Sequence, residues 1–281
     1  MVKRRQVGFD KAKQFIEKGE AIRRKHPEMG CRKMALKLKV KGFGRDKLED
    51  ILLGSGLRVV YPPNYTKTTH SVRLHQFKNL TEGLEINGIN QLVQTDITYF
   101  WMKDRFGYLV FIIDVYSRLI VGYHAGIGLE SAANIKALEM MIKRRGQKNV
   151  KGVIHHSDRG SQYHSKEYLK ALKENDIRVS MCDAAWQNAY GERIHRTIKH
   201  EYLRHRQIDS IGRLKKHLDI DVSAYNTDRP HWSLPQQMSP ASFEQYIHNI
   251  SKEMRPGLKL YQSNKIIGNE FFLAMKQSDK K

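Results

Sequence analysis

Three strand-like runs follow one another between Gln91 and Gly128 with only short turns between them: "QLVQTDITYFWM", "GYLVFIIDVYS" and "RLIVGYHAGIG". All are rich in Val, Ile and Tyr, the side chains that suit a pleated, half-buried surface. After them the pattern alternates. "SAANIKALEMMIKRR" has helical spacing with Ser131 as a candidate cap, and "KGVIHH" is a fourth strand. "SKEYLKALKEND" is a second helix, "IRVSMC" a fifth strand, and "WQNAYGERIHRTIKHEYLRHR" a long basic helix. Three strands, then helix, strand, helix, strand and helix, predict an α/β domain built on a mixed sheet with helices on its faces.

Two acidic residues sit awkwardly in that pattern. Asp96 falls in the middle of the first strand, between Val93, Ile97 and Tyr99. A charge there is costly unless it is paired or binds a metal. Asp158 ends the fourth strand, in "IHHSDRGSQYHS". An Asp two residues before a Gly is a common turn signal, but the carboxyl end of a strand is also where α/β sheets place ligands. A third carboxylate, Glu192, lies on the last helix, with His195, Arg196 and Lys199 following at i+3, i+4 and i+7 along one face. These three acids could meet at one point. An all-oxygen ligand set suits magnesium, and a pair of such ions serves phosphoryl transfer.

The charge balance points the same way. Lys and Arg number 50 against 29 Asp and Glu, a formal net charge of +21. Residues 1–80 hold 20 of the basic residues and 7 of the acidic ones. Such clustering favours a polyanionic partner, nucleic acid above all. Within this stretch Phe9, Ala12, Phe15, Ile16 and Ile22 recur at helical spacing up to Pro27. "CRKMALKLK", the turn "VKGFG" and "RDKLEDILLGSGL" then form a helix-turn-helix candidate. Arg32 and Lys33 of its first helix, with Arg45 and Lys47 of its second, are candidate DNA contacts. An ordinary helical hairpin has the same pattern, and the surrounding charge tips the reading towards DNA.

Cys31 and Cys182 are too far apart for a zinc knuckle or a disulfide framework. The 13 histidines, His70 and His75 among them, lack ligand spacing and read as structural or solvated. "MVKRRQVGFD" has no apolar leader, and the most apolar run, "YLVFIIDVY", is too short to span a membrane, so a cytoplasmic, nucleoid-associated protein without a membrane partner is expected. The expected organisation is a helical DNA-binding domain at 1–60, a linker at 61–88 around "YPPNYTKTTHS", a core at 89–245 and a C-terminal tail at 246–281.

The blocks "QTDITYF", "HHSDRGSQYHS" and "NAYGERIHRTIKHEYL", in that order, resemble the integrase core of DDE transposases and its RNase H-like fold. "HPEMGCRKMALKLKVKGFG" is similar to the N-terminal helix-turn-helix of the second-reading-frame transposases of bacterial insertion sequences, and "YNTDRPHWSL…SPASF" to their C-terminal signature. The resemblance implies that Asp96, Asp158 and Glu192 are the catalytic, metal-binding triad, holding two Mg2+ or Mn2+ ions. It also implies that Arg159 to Tyr163 form the loop after the second acid and that Lys199 contacts DNA, with Arg159, His195 and Arg196 nearby. Glu192 follows Asp158 slightly more closely than is usual for the family. The nearest rivals are poorer: Asp183 precedes the helix, and Glu201 falls nearly opposite on the helical wheel. Asp114, in "DVYSR", reads as structural. The activity implied is binding of terminal inverted repeats, nicking at the 3′ end and joining of that end to target DNA. The partners implied are DNA, further copies of the chain, and an upstream-frame protein. A DNA-binding relic without chemistry, or a nuclease that cuts without joining, are the alternatives.

Overall fold

The computed structural model describes residues 2–38, 44–59, 77–128 and 131–260. The candidate turn at 39–43, most of the linker, His70 and His75, and the tail beyond 260 lie outside the described residues, as does the side chain of Arg45. The chain divides into two units. One comprises residues 1–68 with His200–Arg206, the other 69–199 with 207–281.

The smaller unit is helical: α1 (Val2–Lys25), α2 (Cys31–Leu38) and α3 (Arg45–Gly54). Its core gathers Phe15 from α1, Cys31, Met34 and Ala35 from α2, and Leu48 and Leu52 from α3. The segment His200–Arg206 completes it. Glu28, almost wholly buried, is ion-paired with Arg204 and accepts from His205 at 2.7 Å, while His26 Nδ1 and the Tyr202 hydroxyl lie 2.6 Å apart. Tyr202 and Leu203 are fully buried. The N-terminal helices therefore fold around a piece of chain some 150 positions further on, which no sequential domain boundary expresses.

The larger unit holds five main strands: β1 (Leu92–Trp101), β2 (Phe106–Asp114), β3 (Ile120–Gly126), β4 (Ile154–Ser157) and β5 (Arg178–Met181). Their order across the sheet is β3-β2-β1-β4-β5. The first three form an antiparallel meander; β4 runs parallel to β1, and β5 parallel to β4. This is the mixed sheet of the RNase H-like fold.

Alternate residues of the sheet serve opposite faces. On one face Val93, Val110 and Ile112 pack against Ala137, Leu138 and Met141 of α4 (Ser131–Arg145) and Tyr168 and Leu172 of α5 (Lys166–Glu174). The strand and helix touch backbone to backbone: a Cβ on Gly122 would lie 2.1 Å from the Ala137 carbonyl oxygen. On the other face Phe111 meets the His195 ring of α6 (Ala189–Glu201), and Leu214 of α7 (Ile211–Thr227) crowds Gly107. Local chemistry sets the helix starts. Ser165, Ser210 and Ser239 cap α5, α7 and α8 (Pro240–His248) by accepting from Tyr168, Arg213 and Ser242 backbone N–H groups.

Several boundaries differ from expectation. The long helix read from Trp186 is α6 flanked by short 3-10 turns at Ala185–Asn188 and Leu203–His205. Residues 77–88 are not linker: Thr81 and Ile86 are buried, and Glu85–Ile86 pairs with Leu258–Lys259 in a two-stranded ribbon. The C-terminal stretch to 260 is likewise no tail, because Ile247, Leu258 and Leu260 share a core with Leu92, Val115 and Tyr116. Among the described residues no helix is long and apolar enough to cross a membrane.

Candidate active site

Asp96 lies on β1 where the strand leaves its parallel neighbour, since β4 pairs only with residues 92–94. Its side chain points to the α6 face. The helix comes unusually close there: a Cβ on Gly191 would lie 3.1 Å from the Asp96 Cβ and from both terminal atoms of Asn188. Two buried amides fix this approach. Gln94 Oε1 accepts from the Tyr190 N–H at 3.0 Å, its Nε2 donates to the Gln187 carbonyl at 2.9 Å, and Asn188 Nδ2 donates to the Thr95 carbonyl at 3.0 Å. These bonds stitch the start of α6 to β1, and so set Glu192 relative to Asp96. Sequence reasoning passed over Gln94 and Asn188. The available signal was that Gln94 precedes Asp96 by two residues and so shares its face.

Asp158 follows β4 directly. Its Oδ1 accepts from the Gly160 N–H at 3.0 Å, so the turn reading and the site reading describe one feature. Gly160 is needed for space rather than for an unusual backbone. Its φ is −61°, open to any residue, but a Cβ would sit 3.0 Å from that same Oδ1.

Burial pushes the Asp96 carboxyl well above its ordinary range, and repulsion from Asp158, then Glu192, pushes the same way against the pull of the Ile97 N–H and Lys199. Burial also raises Asp158, against the pull of the Gly160 N–H and His164. Neither acid has an arginine partner among the described residues. His195, 3.2 Å from Asp96, supplies no charge to offset this. Burial lowers its imidazole to about 3, against a pull from the Asp96 backbone, so it is neutral at pH 7.

The third acid differs. Glu192 is exposed on α6 and acts on Asp96 only through its field. Among the described residues no three His, Cys, Asp or Glu side chains stand close enough to form a ready-made metal site. The chemistry of the donor set still fits a hard divalent cation. Asp96 and Asp158 are half-buried oxygen donors, and a cation would relieve both their desolvation and the repulsion that Asp158 exerts on Asp96.

The basic residues sort differently from expectation. Lys199 Nζ donates to Thr98 Oγ1 at 3.0 Å and lies 5.0 Å from the Tyr99 ring centroid, beside Asp96. Arg196 is exposed on the same helix. His195 is not a DNA contact: it turns inward onto Phe111, because a face spanning i+3 and i+4 is wide enough to include the buried stripe. Arg159 is also corrected. Its side chain is largely buried and ion-paired to Asp183, tying the loop after β4 to the one after β5. In the helical unit Lys47 is exposed and Arg32 faces Glu49 at 3.6 Å. Lys33 is half-buried on α2, and Arg45 opens α3. His155 and His156 are structural. They are buried against Tyr168 and Ser180, at 2.8 Å each, and burial lowers them to about 3 and about 4.

An RNase H-like sheet with acids on its first strand, after its fourth and on the facing helix defines a class of nucleic-acid-processing proteins. The comparisons narrow it. Residues 87–185 and 176–240 each match a family model described as an integrase core domain. An insertion element IS600 31 kDa protein of Shigella sonnei is 31% identical over 232 residues, covering 79% of this chain and 83% of the relative. The transposase InsF of insertion sequence IS3A from Escherichia coli K12 is 29% identical over 187 residues, 64% of either chain. The HTLV-2 integrase catalytic core domain in complex with magnesium is 17% identical with a TM-score of 0.46, covering 56% of this chain and 97% of that one. The chain belongs to the DDE transposase and integrase superfamily.

Proposed function

We propose that this chain is the transposase of an insertion sequence, and that Asp96, Asp158 and Glu192 are its catalytic acids. The observation that carries the reading is the Asp96–Asp158 pair: two half-buried carboxylates, the second raising the cost of charge on the first, with no arginine partner for either among the described residues. Asp96 and Asp158 would hold Mg2+ or Mn2+, two ions in all, with Glu192 contributing from α6. When bound, such ions supply charge stabilisation and nucleophile activation for in-line attack on phosphorus.

The reaction has two steps of one kind. Water attacks the phosphodiester at the 3′ end of the element and displaces the element's 3′-oxygen, leaving a 3′-hydroxyl on the element and a 5′-phosphate on the flanking strand. The freed 3′-hydroxyl then attacks a phosphodiester of the target and displaces the target's own 3′-oxygen. The protein's part is placement. Gln94 and Asn188 hold α6 against β1, Lys199 and Arg196 receive the DNA backbone along the helix, and buried neutral His195 supports the Asp96 side. Arg32, Lys33, Arg45 and Lys47 of the helical unit are the proposed contacts to the terminal inverted repeats. At least two copies of the chain on paired ends, and an upstream-frame protein, complete the proposed assembly.

The test is a labelled oligonucleotide carrying one element end, incubated with the full chain and Mg2+. Nicked and joined products are expected from the parent, and neither from Asp96→Asn or Asp158→Asn. Cleavage without joining would make the protein a nuclease, and full joining by Asp96→Asn would overturn the site.

A further inference from the structure

The end of the β1–β2 hairpin carries three aromatic side chains that the core does not use. Tyr99, Trp101 and Phe106 are 40%, 57% and 43% exposed. Tyr99 and Trp101 alternate on one face of β1, and Phe106 stands opposite Trp101 in the ladder. They form one cluster: the Phe106 ring centroid lies 5.1 Å from that of Tyr99 and 4.7 Å from that of Trp101, both edge-to-face. Adjoining exposed aromatics of this kind mark a binding surface more often than a packing accident.

Cations bracket the cluster. Lys199 Nζ lies 5.0 Å from the Tyr99 ring centroid at one end, and exposed Lys103 occupies the turn at the other, next to Arg105, whose guanidinium is paired with Asp104 at 3.0 Å. Aromatic rings set between basic side chains are the arrangement that binds single-stranded nucleic acid, bases stacking on rings while cations follow the backbone. The rings present stacking surface rather than hydrogen-bond donors, and a base offers its face only when it is unpaired. The same cations disfavour a second copy of the chain as occupant, because docking two such surfaces would bring like charges together on a protein of net charge +21.

We infer that the hairpin end is a stacking site for unpaired nucleotides of the DNA being processed. Tyr99 lies three residues from Asp96, about 10 Å along the strand and on the alternate face. Lys199, beside Asp96, reaches Thr98 and the Tyr99 ring, so a strand leaving the acids along Lys199 would pass round the end of β1 to reach the cluster. This inference rests on the proposed transposase reading, but its test needs no chemistry.

Full-length chain in EDTA is titrated with two fluorescein-labelled probes: a blunt duplex, and the same duplex with a single-stranded tail. The parent is expected to bind the tailed probe more tightly. Trp101→Ala with Phe106→Ala should weaken tailed binding about tenfold or more and leave blunt-duplex binding within about twofold, which also reports that the variant is folded. Trp101→Phe should retain most of the preference. An unchanged tail preference in the double variant overturns the inference while leaving the transposase reading standing, as does an equal loss on both probes. A fall in the protein's oligomeric mass without change in tail preference would assign the cluster to contacts between copies instead. Failure of the parent to bind either probe would remove both readings.

Discussion

Two carboxylate clusters sit on the same sheet, and they are finished in opposite ways. At the end of β2, Asp114 is fully buried, yet it accepts from the N–H groups of Asn90, Tyr116 and Ser117, and Arg145 stands between it and Glu244 at 3.2 and 2.6 Å. On β1, Asp96 has the Ile97 N–H, a neutral histidine and only the more distant field of Lys199. Burial raises both carboxyls, but the next influence differs in sign. At Asp114 it is Arg145, pulling down; at Asp96 it is Asp158, pushing up. Charge neutralised by the protein itself marks architecture. Charge assembled with no cation in direct contact, and only Lys199 nearby as the weakest influence on Asp96, marks a place for something that arrives later.

The largest effect expected from this contrast is on chemistry. Asp96→Asn should reduce joining more than about a thousandfold, several kcal/mol of lost stabilisation, with duplex binding retained in a gel-shift assay. At the other cluster the loss is of fold. Arg145→Ala leaves Asp114 and Glu244 facing one another without their cation, and should cost about 3–5 kcal/mol by urea denaturation. An Arg145→Ala variant that lost joining but not stability would show that the two clusters are not divided as argued. Gly191→Ala probes the seam between them and the helix. A methyl 3.1 Å from Asp96 and Asn188 must displace α6, and a shift of about 1 Å costs about a hundredfold in joining. Little change in joining would mean that the Glu192 position is not held by that contact.

The smallest effect is the most discriminating. A carboxyl raised in the folded state binds a proton there that the unfolded chain has already released above about pH 4, so folded stability falls as pH rises through that window. Asp96→Asn removes the penalty. Without divalent ions the variant should melt above the parent at pH 7, with the gap closing towards pH 4. Asp114→Asn should instead melt below the parent at pH 7, because it strips a ligand from buried Arg145.

The sequence made much of this visible, and for a physical reason. A charge inside a strand pattern, as at Asp96, is anomalous by itself, and the order of strand and helix periodicities carries the fold. What stayed hidden depends on distant partners. Arg159 looked like a phosphate contact until Asp183 was beside it. His195 shared a wheel face with Lys199, and only Phe111 shows that the ring turns inward. Gln94 and Asn188 are ordinary polar residues until β1 meets the start of α6. Helices α7 and α8 went unread because their segment carried a family signature rather than a clear periodicity, and the partnership of Glu28 with Arg204 spans most of the chain.

The central claim is that Asp96 and Asp158 await a divalent cation while Asp114 and Glu244 do not. Thermal melting of the full chain in EDTA and in millimolar Mn2+ tests it most directly. The account predicts that Mn2+ raises the melting temperature of the parent, that the increase disappears in the Asp96→Asn, Asp158→Asn double variant, and that it survives in Glu244→Gln. An equal rise in the parent and the double variant, or none in the parent, would contradict it.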